Sequence, residues 1–275
     1  MRVRELFWYD PTTLVAVTFG RGMFRTTVAS SGPANYSDMW WAGNAENGWG
    51  MSIQQHGQIQ LNAMYVYDNA GKPIWYVLPG GMWNGDFTTY SGPIYQPSSA
   101  PLNNYNAAQF LVGAPVGNIS INFTSNTTAL LQYVINGVSG QKSIQRQVFG
   151  RGTSPIQVGD MWWGDTAQNG WGISITQQAG ILFAAWYTYG VDGKATWYVM
   201  TDGQWTGNMY TGAFFSTTGA PWLGASYDPN QLKVVPAGTL TLNFSDTNNA
   251  LMTYAFTAGP LAGTTQTKPI VRQPY

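Results

Sequence analysis

Asp38-Met39-Trp40-Trp41 and Asn47-Gly48-Trp49-Gly50 return as Asp160-Met161-Trp162-Trp163 and Asn169-Gly170-Trp171-Gly172, both at an offset of 122 residues. Outward from this stretch, the same offset carries Tyr65 and Tyr67 onto Tyr187 and Tyr189, Gly71-Lys72 onto Gly193-Lys194, Trp75-Tyr76-Val77 onto Trp197-Tyr198-Val199, and Trp83 onto Trp205. After small changes in loop length, Ala100-Pro101 matches Ala220-Pro221, Asn122-Phe123 matches Asn243-Phe244, and Arg146-Gln147 matches Arg272-Gln273. A period this long marks a duplicated domain, not the roughly 20 to 50-residue unit of a solenoid. The copies span 37–150 and 159–275, joined by a linker at 151–158 in the polar Gly/Pro stretch Gly150-Arg151-Gly152-Thr153-Ser154-Pro155. Residues 1–36 form a leader outside both. Its Phe19-Gly20-Arg21-Gly22 repeats Phe149-Gly150-Arg151-Gly152, and Thr13 to Thr18 reads as a strand, so the leader is expected to be the remnant of a preceding repeat or a strand docked on the first copy.

Within each copy apolar residues recur with period two. Ile119, Ile121 and Phe123 alternate with Ser120 and Asn122, and Ala63, Tyr65 and Tyr67 share one face. Asn47-Gly48 and Asn169-Gly170 are the pair expected of a two-residue type I′ hairpin. Strand starts near Asp38, Trp49, Ile59, Pro73, Thr89, Gly117, Ala129 and Lys142 predict about eight strands per copy, with one longer connection around Ser98 to Gly113. The fold class is all-β: two tandem antiparallel up-and-down barrels, with a β-sandwich as the structural alternative.

The composition narrows function. Only 12 basic and 12 acidic residues stand among 275, 9% charged against about 25% in ordinary soluble domains, while Trp, Tyr and Phe number 13, 16 and 12. Zero net charge without a Lys/Arg cluster lacks the electrostatic footprint of a nucleic-acid or anionic-membrane binder. No apolar run reaches the ~18 residues of a membrane helix. The absence of Cys removes thiolate chemistry and Cys-ligated metals, and a single His, His56, excludes a multi-His site within the chain. No metal or cofactor is expected; Asp246-Thr247-Asn248-Asn249 and Asn103-Asn104 could offer oxygens to calcium, but turn chemistry is their ordinary use. Met1-Arg2-Val3-Arg4 imitates a signal-peptide start, yet Asp10, Pro11, Arg21 and Arg25 interrupt the apolar segment that should follow. A charge-poor surface rich in Ser, Thr, Asn and Gln nevertheless suggests an extracellular or periplasmic setting.

A Trp on the first strand with an Arg on the last is similar to the signature of calycins, the lipocalin and avidin barrels, in which closure lays the Arg over the Trp. Trp40 or Trp41 with Arg146, and Trp162 or Trp163 with Arg272, hold the matching places, although Asp38-Met39-Trp40 stands where lipocalins have Gly-x-Trp. The pattern Trp-Trp…Asn-Gly-Trp-Gly…Tyr-x-Tyr…Gly-Lys…Trp-Tyr-Val over 37–150 and 159–275 also resembles a Trp-rich domain of exported bacterial proteins. That resemblance implies export and no particular activity. Independently of family, closure would put Asp38 beside Arg146 and Asp160 beside Arg272, predicting ion pairs or Arg stacked on indole.

Hydrolysis of a glycoside would need two carboxylates facing a cleft. The copies share only Asp38/Asp160; Glu46 becomes Gln168, and Asp165 replaces Gly43. A hydrolase acting on a glycoside, ester or lactone would therefore rely on Glu46 with Asp38, or on Asp165 with Asp160, within one copy. No Gly-x-Ser-x-Gly elbow supports a Ser-His-Asp site, and His56 reads as a turn residue. What the copies share is aromatic. The leading expectation is non-enzymatic binding of a glycan or small apolar ligand by Trp40, Trp49, Tyr65, Trp75, Trp83 and by Trp162, Trp171, Trp186, Tyr187, Trp197, Trp205. A structural protein that self-associates through its aromatic faces is the third reading. Whether each barrel lumen is open or filled by these rings separates them.

Overall fold

The computed structural model describes residues 3–10, 13–18, 22–27, 32–224 and 226–274. The chain divides into two compact units, 1–34 and 35–275. In the first, β1 (Val3–Asp10), β2 (Thr13–Thr18) and β3 (Gly22–Thr27) form an antiparallel meander in that order. Val15 and Thr18 are buried in it, whereas Leu6, Trp8, Tyr9 and Phe24 are exposed. Phe19, Gly20 and Arg21 of the repeated Phe-Gly-Arg-Gly lie outside the described residues, as do Met1, Arg2 and Pro11 of the export reading.

The second unit holds both copies. In the first copy β4 (Asp38–Trp41), β5 (Gly50–His56), β6 (Ile59–Tyr67), β7 (Pro73–Leu78), β8 (Met82–Trp83), β9 (Thr89–Ile94), β10 (Gly117–Phe123), β11 (Thr128–Ile135) and β12 (Val138–Arg146) make one antiparallel sheet, ordered β7-β6-β5-β4-β12-β11-β10-β9-β8. The second copy repeats this order with β13 (Asp160–Trp163), β14 (Gly172–Gln178), β15 (Ile181–Tyr189), β16 (Ala195–Met200), β17 (Gln204–Thr206), β18 (Met209–Thr218), β19 (Lys233–Phe244), β20 (Asn249–Phe256) and β21 (Thr265–Arg272). Pairing of Val199 on β16 with Phe215 on β18 closes this sheet into an eight-stranded barrel, with β17 as a short extra strand. The first sheet curls in the same way, and its ends meet where Val77 bridges Tyr95.

First and last strands join by few pairs. Trp40 and Trp41 oppose Arg146 and Gln145, and Trp162 and Trp163 oppose Arg272 and Val271. Inward residues fill the lumen. In the second copy Trp186 meets the rings of Tyr198, Phe214, Tyr254 and Phe256 at centroid distances of 4.8 to 6.2 Å.

Alternation normally leaves one sheet face to water, but β15 is buried at every position and β6 from Gln60 onward. The outer faces of β4 to β7 are covered by those of β13 to β16. The connection from Trp41 to Gly50 also differs from expectation. It is no two-residue hairpin: a 3-10 turn occupies Asn44–Glu46, Asn47 is extended at φ −60 and ψ 138, and of the Asn-Gly pair only Gly48 has positive φ, at 124. This is the type II pattern, in which glycine alone takes the left-handed position; type I′ would require positive φ at both residues.

Candidate functional site

The face between the copies is built reciprocally. The Trp75 indole Nε1 donates to the Thr188 carbonyl at 2.9 Å, and the Trp197 Nε1 donates to the Val66 carbonyl at 3.0 Å. Trp75 lies against Tyr187 at 5.7 Å between ring centroids, and Trp197 against Tyr65 at 5.1 Å. Val66 and Thr188 are themselves counterparts at the repeat offset, so each contact has its mirror. This is the rule of an isologous two-fold interface, written here in one chain. The polar contacts are less symmetric. Gln178 Nε2 donates to Asp38 Oδ1 at 2.9 Å, while its counterpart His56 sets Nε2 2.9 Å from Asp160 Oδ2. Ser52 and Tyr187 hydroxyls meet at 2.9 Å, and Gln54 Nε2 donates to Ser174 Oγ at 2.9 Å.

The long connections are exchanged across this face. From the first copy, Ser99 N donates to the Gly193 carbonyl at 3.2 Å and the Tyr105 hydroxyl to the Asn169 carbonyl. From the second, Gly219 N donates to the Gly71 carbonyl at 3.1 Å, and Trp222 packs on Trp49 and Tyr133 at 5.2 and 4.6 Å. Tyr105 stacks on Tyr189 as Tyr227 stacks on Tyr67. Gly48 and Gly170 sit under these arms. A side chain at Gly48 would run into Tyr227 and Leu232, and one at Gly170 into Phe110 and Tyr105.

Among the cavities lined by both copies, two apolar ones, of about 180 and 240 Å³, form a matched pair. We call them A and B. Both copies line each. In A, Trp163, Asn169, Trp171, Tyr187 and Gln273 face Leu61, Trp75, Val77, Phe110 and Val112. In B, Trp41, Asn47, Trp49, Tyr65 and Gln147 face Phe183, Trp197, Val199, Leu232 and Val234. Position by position these are counterparts, so the duplication preserved the pocket along with the barrel. Charged residues line neither one. Burial pushes the Tyr65 and Tyr187 hydroxyls well above the usual tyrosine range, so both stay neutral. Tyr65 donates to the Met39 sulfur at 3.0 Å.

Of the residues expected from sequence, Trp49, Tyr65 and Trp197 meet in B, and Trp75, Trp171 and Tyr187 meet in A. Trp40, Trp162 and Trp186 are fully buried and point into the barrels. Trp83 and Trp205 cover barrel ends, donating to the carbonyls of Gln58 and Gly180 at 3.0 and 2.8 Å. Arg146 and Arg272 each hold an aspartate, Asp38 and Asp160, at 3.0 Å and lie over Trp40 and Trp162 at 5.3 and 5.5 Å. Each arginine also binds carbonyls before the first strand, Arg146 those of Asn35 and Ser37 and Arg272 those of Gln157 and Gly159.

Asp38 and Asp160 are thereby committed to cations, and Glu46 is held by Lys142 at 2.8 Å. Asp165 is spent on the Thr166 amide at the start of a 3-10 turn. His56 ends β5 and reaches the other copy instead of resting in a turn. Asp246 accepts from the Asn248 and Asn249 amides at 2.7 and 2.9 Å, the ordinary turn use, and the Asn103 carbonyl accepts from Gln266. Among the described residues no three His, Asp or Glu side chains gather as a metal would require, and no helix is long and apolar enough to cross a membrane.

Compared with known protein families, curated proteins and solved structures, the chain matches none. Sequence reasoning missed several pocket residues, Trp41, Trp163, Gln147 and Gln273 among them. These four carried a signal, because each is identical in the two copies.

Proposed function

We propose that this chain is a non-enzymatic binding protein that holds a small neutral ligand, a single ring of a glycan or a small apolar molecule, in each of two equivalent pockets between its copies. One observation carries the reading: the lining of A is reproduced in B by counterparts from the opposite copy, including all of Trp41/Trp163, Trp49/Trp171, Tyr65/Tyr187 and Trp75/Trp197. A core needs volume and tolerates exchange of one apolar side chain for another. Identity on the walls of a cavity is a stronger requirement than packing makes. Neutral lining selects an uncharged ligand, since a buried ion without a partner is strongly disfavoured. The same surface, poor in charge, supports a place of action outside the cytoplasm, as does the resemblance to exported Trp-rich domains.

Titration of the full chain with a panel of neutral sugars and small apolar molecules, followed by tryptophan fluorescence, tests this. Ligands of the right class should change the emission and saturate at two equivalents, and the double variant Trp41→Ala/Trp163→Ala should abolish the change. An emission unmoved by every member of the panel would sink the binding reading.

A further inference from the structure

We infer that the ligand of both pockets is a neutral planar ring bearing one or two polar groups, of the phenol or aromatic amide class, and that pocket B accepts the more polar member. This rests on the two-pocket reading above and narrows it.

Size sets the first limit. An apolar cavity of about 150 Å³ already admits benzene, and drug-sized pockets start at roughly 300 Å³. At about 180 and 240 Å³, A and B each have room for one ring with a small substituent.

Lining chemistry sets the second. The walls are indole, phenyl and aliphatic groups; apart from the indole N–H groups, of which Trp49 Nε1 already donates to Glu46 and those of Trp163 and Trp171 are buried, the polar lining side chains shared by both pockets are one Asn, one Gln and one buried Tyr, Asn169, Gln273 and Tyr187 in A and Asn47, Gln147 and Tyr65 in B. Both Tyr hydroxyls already have partners, Ser52 and the Met39 sulfur. A pyranose brings hydroxyls all round its ring, and each one removed from water without a partner is penalised. Two amides satisfy a phenol or a carboxamide and leave most of a sugar unsatisfied. Flat rings also match the aromatic walls, where offset and edge-on contacts add to area burial.

Leu61 and Phe110 of A are exchanged for Phe183 and Leu232 in B, which keeps the wall apolar, but two further matched positions change polarity. Pro79 and Pro97 line A where Thr201 and Thr217 line B. Proline offers no side-chain donor or acceptor, whereas threonine offers both. B can therefore hold a second polar substituent that A cannot.

Isothermal titration of the full chain with p-cresol, 4-hydroxybenzamide and methyl β-glucoside decides the matter. We expect p-cresol to bind with two equivalents and 4-hydroxybenzamide to favour one site by about tenfold. Gln147→Leu should weaken the tighter 4-hydroxybenzamide event by about tenfold, the effect of one lost hydrogen bond, and Gln273→Leu the weaker event. Unchanged urea midpoints in both variants would show that the fold is intact. Binding of the glucoside with none of p-cresol overturns the ring class and leaves the two-pocket reading standing. Aromatic binding that neither Gln variant alters places the ligand elsewhere and overturns the assignment to A and B. Silence with all three probes, together with a silent fluorescence panel, overturns both.

Discussion

Lys142 and Lys268 are the same residue of the two copies with different company. Lys142 Nζ lies 2.8 Å from Glu46 Oε2, and that oxygen also accepts from the Trp49 indole at 3.1 Å. In the second copy Gln168 stands in place of the acid. Its oxygen accepts from Lys268 at 2.7 Å, and the Trp171 Nε1, buried, has no partner among the described residues. Burial holds the Lys268 ammonium below the usual lysine pKa. Its unfolded form takes up a proton more readily than the folded one, so Lys268 subtracts stability at neutral pH, and the penalty fades as pH rises towards 10.5. Gln168→Glu should return both a counter-charge and an indole acceptor. The expected gain is about 1 to 3 kcal/mol at pH 7, read from the urea midpoint and disappearing as pH falls through the carboxylate range. A neutral or destabilising effect would mean that Glu46 owes its contacts to something other than the shared lysine and tryptophan. Sequence comparison displays the exchange of Glu46 for Gln168 and the retention of both lysines, but not that they touch, because the lysine lies on the last strand of its copy in chain order, about 100 residues from the acid, and only closure of the sheet brings that strand beside the first. Trp40 and Trp41 show the same boundary. Period two puts them on opposite faces, yet choosing the pocket residue requires knowing that the outer face is covered by the other copy.

At the level of elements, strand starts are legible because each strand keeps its alternation and is bounded by Gly, Asn or Pro. The connections are less so. The segment around Ser98 to Gly113 reads only as a long loop, since nothing local says that its Tyr105 and Phe110 rest on the opposite barrel. The Asn-Gly pair is misleading for a related reason: its glycine answers to the arm above it as well as to its own turn. Gly48 combines a φ of 124 with a close approach of Tyr227 and Leu232. Gly48→Ala should therefore cost about 1 to 3 kcal/mol from backbone strain and displaced packing. Because the displaced arm belongs to the second copy, limited proteolysis should quicken near Leu232 and stay unchanged near Phe110; Gly170→Ala should give the reverse. Equal cleavage of both arms in either variant would contradict the reciprocal exchange.

For the whole molecule, the scarcity of charge follows from geometry. Two barrels with filled lumens that also bury part of their outer faces leave little surface on which a charge is cheap, and the interior is given to rings. Tyrosine makes this measurable. Tyr65, Tyr67, Tyr76, Tyr187, Tyr189 and Tyr254 are all at least nine-tenths buried, and desolvation raises the pKa of each, to about 12 for Tyr76. In the unfolded chain they ionise near 10. A folded-state pKa above the unfolded one means that the stability contribution is complete below pH 10 and is lost as pH rises towards the folded value. One unit above 10, each such tyrosine favours the unfolded chain by about 1.4 kcal/mol. Six acting together rival the roughly 5 to 15 kcal/mol that hold an ordinary domain folded. Urea denaturation from pH 8 to 11.5 should show a flat midpoint to about pH 10 and then a steep fall. Absorbance of ionised tyrosine at 295 nm should rise in step with loss of tertiary structure, since the buried hydroxyls titrate only on unfolding. Tyrosine ionisation that ran ahead of unfolding would place these rings in contact with water, and with them the walls of both pockets.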